Sequence, residues 1–204
     1  MPDWDADGER LRNNLGPVME TTRQHALARR PPSLELARNW HEAMMHGLTP
    51  RPPAEPSWFG CFRGEEGQEN IGIRVDAHEG THPALVSRDL EKFEVRLSKL
   101  VTFLDEQLPS GKALDSATVE MVLQLMGWTH NEWVRIHPFA NGNGRIARIW
   151  ANWVAMRYGL PPFVRLRPRP AGDAYANAAS AAMTGDQASM VTVFRQLLLE
   201  FPTN

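Results

Sequence analysis

The sequence predicts a mainly α protein: a helical bundle carrying one small β-hairpin. Apolar residues recur at three- and four-residue spacing through most of the chain, the mark of helices with one buried face. Only Ile71, Ile73 and Val75, alternating with Gly72 and Arg74, show the two-residue period of a strand. At 204 residues, with 42% hydrophobic and 23% charged content, the chain is long enough for one well-formed core.

Residues 1–32 are polar and Arg-rich with weak helical periodicity. They read as an N-terminal helical extension to a main domain over residues 33–204. Pro31-Pro32-Ser33 gives a stop followed by a helix start. Leu34, Leu36, Ala37, Trp40, Met44 and Met45 then keep helical spacing until Gly47 and Pro50. The segment Pro50–Pro56 reads as a loop. A hairpin is expected over residues 59–77, with Phe59, Cys61 and Arg63 pairing with Ile71–Val75 through a turn at 64–68. Leu90, Phe93, Leu97, Leu100 and Leu104 share one helical face. Val119, Val122, Leu123, Met126, Trp133 and Ile136 share another, capped by Asp115-Ser116. That helix should stop at Ile136 or His137, because Pro138 disfavours helical geometry before it. A new helix starts near Gly144, with Ile146, Ile149, Trp150 and Trp153 as its apolar stripe, and ends at Gly159-Leu160-Pro161-Pro162. Two more helices, over roughly 172–184 and 186–200, close the chain.

Composition narrows the function. A formal charge of -2 argues against a broad nucleic-acid or membrane-binding surface. The single cysteine, Cys61, excludes a disulfide framework within the chain and a Cys-based zinc site. The N-terminus has neither a basic start nor an apolar run, and no stretch approaches a membrane span, so the reading is cytoplasmic.

The chemistry concentrates in His137-Pro138-Phe139-Ala140-Asn141-Gly142-Asn143-Gly144-Arg145, followed by Arg148. Gly142 and Gly144 flank Asn143, so the backbone there can take positive φ and present successive N–H groups at a helix start. Such a nest binds anions through those groups and the positive end of the helix dipole. Arg145 and Arg148, three apart, project from one face and can grip a polyphosphate with forked hydrogen bonds. A neutral His137 beside the cradle can take a hydroxyl proton as that oxygen attacks phosphorus. Phe139 anchors the loop in the core.

Other features read more plainly. His41 and His46 are five apart, not the four that zinc ligation from one helix face needs, so His41 is a packed or hydrogen-bonded core residue. His130 is a satisfied core histidine. Trp4 and Trp58 fall outside the helical pattern and are candidate anchors for a partner. Arg165, Arg167 and Arg169 form a short basic run, read first as solvated, with nucleotide or target binding as the alternative.

The string from His137 to Arg148 resembles the signature of the Fic family, His-x-Phe-x-Asp/Glu-Gly-Asn-Gly-Arg-x-x-Arg, and meets seven of its eight specified positions. Trp40-His41 with Gly47, the hairpin at 59–77, His130 with Trp133, and Tyr175 through Gly185-Asp186 resemble other parts of the family in order, over roughly residues 33–200. The resemblance implies a helical fold that transfers part of a nucleotide, in most members AMP from ATP with release of pyrophosphate, to a Ser, Thr or Tyr hydroxyl of a target protein. It implies His137 as the base and Gly142, Asn143 and Gly144 around the α- and β-phosphates. Arg145 would support the phosphate chain and Arg148 would take the terminal phosphate. Ile71, Gly72, Ile73, Arg74 and Val75 would form a flap that clamps the target by strand addition.

The family's acidic position, which holds Mg2+ with ATP, is Asn141 here, a neutral and weaker ligand. Three readings stay open: ordinary AMP transfer, transfer of another phosphate-linked group such as UMP, phosphate or phosphocholine, and nucleotide binding with weakened catalysis. The restraining Ser/Thr-x-x-x-Glu-Gly/Asn helix of many members has no match, since Ser87 and Glu91 precede Lys92 and Ser116 and Glu120 precede Met121. Two options remain: restraint by a separate small antitoxin-like partner, or no restraint.

Overall fold

The computed structural model describes residues 8–49, 54–75 and 77–202. Seven helices appear among them: α1 (Gly8–Leu27), α2 (Leu34–Met45), α3 (Pro83–Gln107), α4 (Ser116–Ile136), α5 (Asn143–Arg157), α6 (Asp173–Ala182) and α7 (Ala188–Leu199). A two-stranded antiparallel ladder, β1 (Arg74–Val75) and β2 (His78–Glu79), sets Arg74 opposite Glu79 and Val75 opposite His78. The protein is therefore mainly α with a small hairpin. No helix of the described residues is long and apolar enough to cross a membrane. Trp4 and the Pro50–Pro53 part of the predicted loop lie outside the described residues.

Local signals set the helix ends. Ser33 caps α2 by accepting from the Leu36 N–H at 3.1 Å. Asp115 and Thr118 form a reciprocal capping box at the start of α4. Helix α4 ends where Pro138 requires it to, with His137 in the left-handed region at φ 54°.

Helix α5 is the spine. It packs against α4, α1 and α2. Its four-residue apolar stripe understates the burial: every residue from Arg145 to Arg157 is buried, because neighbours cover it on several sides. Trp150 sits in an aromatic cluster, 4.7 Å from Trp40 and 6.0 Å from Trp133, ring centre to ring centre. Helix α1 forms despite weak periodicity and an internal Pro17. Leu11, Leu15, Val18, Thr22 and Ala26 are all buried on one side of it, and α5 and α2 cover that side. Packing of this kind outweighs local propensity. Asn14 also donates to the Met44 and His46 carbonyls at 3.0 and 2.8 Å, closing the end of α2.

The hairpin differs from the expected one. Residues 59–63 do not pair with Ile71–Val75. They follow a short 3-10 turn at Pro56–Trp58 and run through turns into the protein. The ladder closes instead on His78–Glu79, and Gly80 extends it by donating to the Ile73 carbonyl at 3.0 Å. The cause is Arg63, whose backbone N–H is spent on the Pro138 carbonyl at 2.7 Å and whose side chain is buried, so it cannot pair with Ile71–Val75 as a strand. Trp58 is half-buried and packs on the core.

Candidate active site

The site is built on the six-residue loop between α4 and α5. His137 begins it, half-buried, with Nδ1 3.0 Å from the Val134 carbonyl. A carbonyl only accepts, so Nδ1 carries the proton, and the neutral ring keeps its lone pair on Nε2. No group among the described residues bonds to that atom. Loss of hydration holds the imidazole pKa down at about 4; the Val134 bond pulls the other way, and the nearby Arg63 charge lowers it further. The ring is thus a neutral, oriented acceptor at physiological pH.

Three buried side chains fix the loop. Asn143 Nδ2 donates to the Phe139 carbonyl at 2.7 Å, and its Oδ1 accepts from the Phe139 N–H at 2.9 Å. The Asn143 side chain is thereby spent on holding the loop, and the buried residue is not among those that line the cavity beyond it. His41 is buried between the loop and a turn: Nε2 donates to the Asn141 carbonyl at 3.1 Å, and Nδ1 accepts from Gly60 N–H at 2.9 Å. Its ring stacks on fully buried Phe139 at 3.9 Å. Burial holds His41 neutral, with a pKa of about 3.

Arg63 is the third, and pattern reading missed it. Its guanidinium donates to the carbonyls of His137 (2.7 Å), Ile71 (3.0 Å), Thr81 (2.8 Å) and Ile136 (3.0 Å), and its own N–H donates to Pro138 (2.7 Å). It ties the hairpin to the end of α4 and to His137. Burial lowers its pKa to about 10. The only sequence signal was an arginine in an otherwise apolar stretch.

Beyond the loop lies a cavity of about 480 Å³ lined by Asn141, Gly142, Gly144, Arg145 and Arg148 of the motif, with Arg12, Leu166, Arg167, Pro168 and Arg169. Arg145 and Ile146 both donate their N–H to the Gly142 carbonyl, at 3.0 and 3.1 Å. The N–H groups of Asn143 and Gly144 therefore precede the first bonded turn, where orphan donors accumulate. Of the two glycines only Gly142 has positive φ, at 80°. Gly144 is helical, and a Cβ there would stand 3.4 Å from Arg148 Nη1, so its bareness keeps room beside that cation. Arg148 is buried, bonded to the Tyr175 hydroxyl at 3.1 Å and the Leu166 carbonyl at 2.8 Å. His130 accepts the other end of this chain through Tyr175 at 2.8 Å, as a core histidine.

His137 lines neither this cavity nor a second one of about 310 Å³ under the hairpin. It sits at the seam: a Cβ on Gly80, in the second cavity's wall, would stand 3.0 Å from His137 Cβ. Gly72, Ile73 and Arg74 line that second cavity; Ile71 lends its carbonyl to Arg63, and Val75 is in the ladder.

The residues present do not fit a protein-held magnesium. Asn141 Oδ1 accepts from Arg145 Nη2 at 3.1 Å, a cation where a dication's ligand would be needed. Among the described residues no carboxylate lines the cavity, and no group of three His, Cys, Asp or Glu converges.

The site thus combines, in a helical bundle, a loop that opens a helix beside an arginine-lined cavity with an oriented imidazole at the start of that loop. The model of the Fic/DOC family matches residues 31–155, and the chain belongs to that family. Among curated relatives, protein adenylyltransferase Fic of Nematostella vectensis is 43% identical over 42 residues, 21% of this chain and 10% of that protein. A uridine 5'-monophosphate transferase of Xanthomonas campestris is 33% identical over 73 residues, 35% of this chain and 13% of that protein. The matches thus span about a tenth of those relatives' lengths. A Fic domain containing signaling protein from Bacteroides thetaiotaomicron superposes with a TM-score of 0.61 at 19% identity, over 94% of this chain and 68% of that one. BepC from Bartonella tribocorum, with bound AMPPNP, gives 0.60 at 16% identity, over 97% and 90%. At these identities the likeness establishes the fold.

Proposed function

We propose that the chain is a protein nucleotidyltransferase that moves AMP from ATP to a Ser, Thr or Tyr hydroxyl of a target protein. The observation that carries this reading is His137: its Nδ1 is committed to Val134, so Nε2 is aimed and ready to accept a proton. In the step, the target oxygen forms a bond to the α-phosphorus, its proton goes to Nε2, and the bond to the β-phosphate oxygen breaks to release pyrophosphate. Charge that gathers on the phosphates meets the N–H groups at the start of α5 and the Arg145 and Arg148 guanidiniums. The target segment lies along the hairpin, its backbone pairing with β1. The name of the Nematostella relative favours AMP, and that of the Xanthomonas relative makes UMP the second donor to test.

The test is label transfer from ATP labelled at either the α- or the γ-phosphate, with a lysate as acceptor. Label should pass from the α position only and vanish in His137→Ala. Transfer from the γ position would replace this reading with phosphate transfer, and unchanged α transfer in His137→Ala would remove the imidazole from the mechanism.

A further inference from the structure

Resting on the nucleotidyl-transfer reading, we infer that this cavity binds its nucleotide as the free polyphosphate anion, with arginines outside the motif supplying charge that a divalent cation would otherwise bring. Arg12 of α1 and Arg167 and Arg169 of the segment after α5 line the same cavity as Arg145 and Arg148. They arrive by independent routes. Arg167 Nη2 lies 3.1 Å from where a Cβ on Gly8 would stand, so its segment is packed on the start of α1, one turn from Arg12.

Arg12, Arg148 and Arg169 have no acidic partner among the described residues. Arg12 and Arg169 are exposed. Arg148 is 7% exposed; its terminal nitrogens meet only a hydroxyl and a carbonyl, and its Nε has no acceptor. The like charges of Arg12, Arg148 and Arg169 around one space repel, and an anion entering it relieves that repulsion. A magnesium complex brings two fewer negative charges than the bare triphosphate. Its metal would also meet guanidiniums where the usual carboxylate is replaced by Asn141, already bonded to Arg145. The wall therefore complements the uncomplexed donor, and the alternative role for the basic run becomes specific: Arg169 grips phosphate, together with Arg12 from the helix that precedes the family match.

The experiment is calorimetric titration of ATP into the full chain, once with EDTA and once with magnesium chloride, for the wild type, Arg12→Ala, Arg169→Ala and the double variant. Both arginines are exposed, so the variants should keep the wild-type melting temperature. Wild-type binding in EDTA should be at least as tight as in magnesium, and each substitution should weaken binding in EDTA about three- to tenfold. Binding in EDTA more than about tenfold weaker than in magnesium overturns the inference and leaves nucleotidyl transfer standing. A double variant that binds like the wild type in EDTA does the same. Absence of ATP and UTP binding in both buffers overturns the inference and the nucleotide reading together. Should the variants fail to fold, the wild-type comparison between buffers still decides.

Discussion

Arg63 shows how one buried side chain can organise a site through backbone carbonyls. Four carbonyls converge on its guanidinium, two from the hairpin side and two from the end of α4. Removing it strands those oxygens in the interior, where each unmet acceptor costs on the order of 1 kcal/mol or more. Arg63→Ala should therefore lower unfolding stability by about 3 kcal/mol or more in urea titration. A loss within 0.5 kcal/mol, roughly the scatter of surface substitutions, would mean the carbonyls are rehydrated at little cost. The local pattern marks this residue only as a charge in an apolar stretch, because all of its partners except the Ile71 carbonyl are distant in sequence. His137, by contrast, was legible as a candidate base, since a proline, two glycines and two arginines surround it within twelve positions. Its protonation was not legible: burial holds the pKa at about 4. The pH–rate profile for kcat/KM should stay level as pH falls through 6.5 and drop only as it approaches about 4. An acid limb centred near 6.5 would show a solvated imidazole instead.

At the scale of elements, the α4–loop–α5 unit assigns different duties to its two glycines. Gly142 occupies left-handed space, and an added Cβ would meet Met45 Cε at 2.7 Å and Met44 Cε at 3.1 Å. Gly142→Ala should cost about 1–3 kcal/mol in stability, from backbone strain and displacement of two flexible side-chain ends. Gly144 is helical, so Gly144→Ala should be neutral or stabilising by up to about 1 kcal/mol, yet weaken nucleotide binding by crowding Arg148. Thermal melts of both, beside nucleotide titrations, separate the two duties; equal effects on stability would contradict them. The glycine spacing alone does not distinguish the two roles, because φ depends on where the helix begins and α5 starts at Asn143, inside the motif. The hairpin was half legible for a similar reason. Ile71–Val75 has strand period, but a two-residue period does not name its partner, and His78–Glu79 is too short to announce itself.

For the whole molecule, the helical class followed from apolar spacing and the caps at Ser33 and Asp115. The long α1 did not, since its support comes from α5 and α2. The core holds three neutral imidazoles, His41 and His130 with pKa values of about 3 and His137 at about 4. Each lies below the ordinary 6.5, so the unfolded chain takes up these protons first. Their contribution is complete above pH 6.5 and is lost as pH falls from 6.5 toward 3, by several kcal/mol in total. Urea midpoints should drop steeply across that window, and the drop should shrink if His130 and its partner Tyr175 are replaced together by apolar residues. A midpoint level from pH 7 to 5 would show these rings to be hydrated.

Group transfer at the imidazole beside the arginine-lined cavity is the central proposal. Mass spectrometry of lysate proteins incubated with the purified chain and mixed ATP and UTP observes that transfer itself. One nucleoside monophosphate should appear on Ser, Thr or Tyr of a target with the wild type and be missing with His137→Ala. Target proteins left unmodified by an active-donor mixture, or modified equally by both proteins, would contradict it.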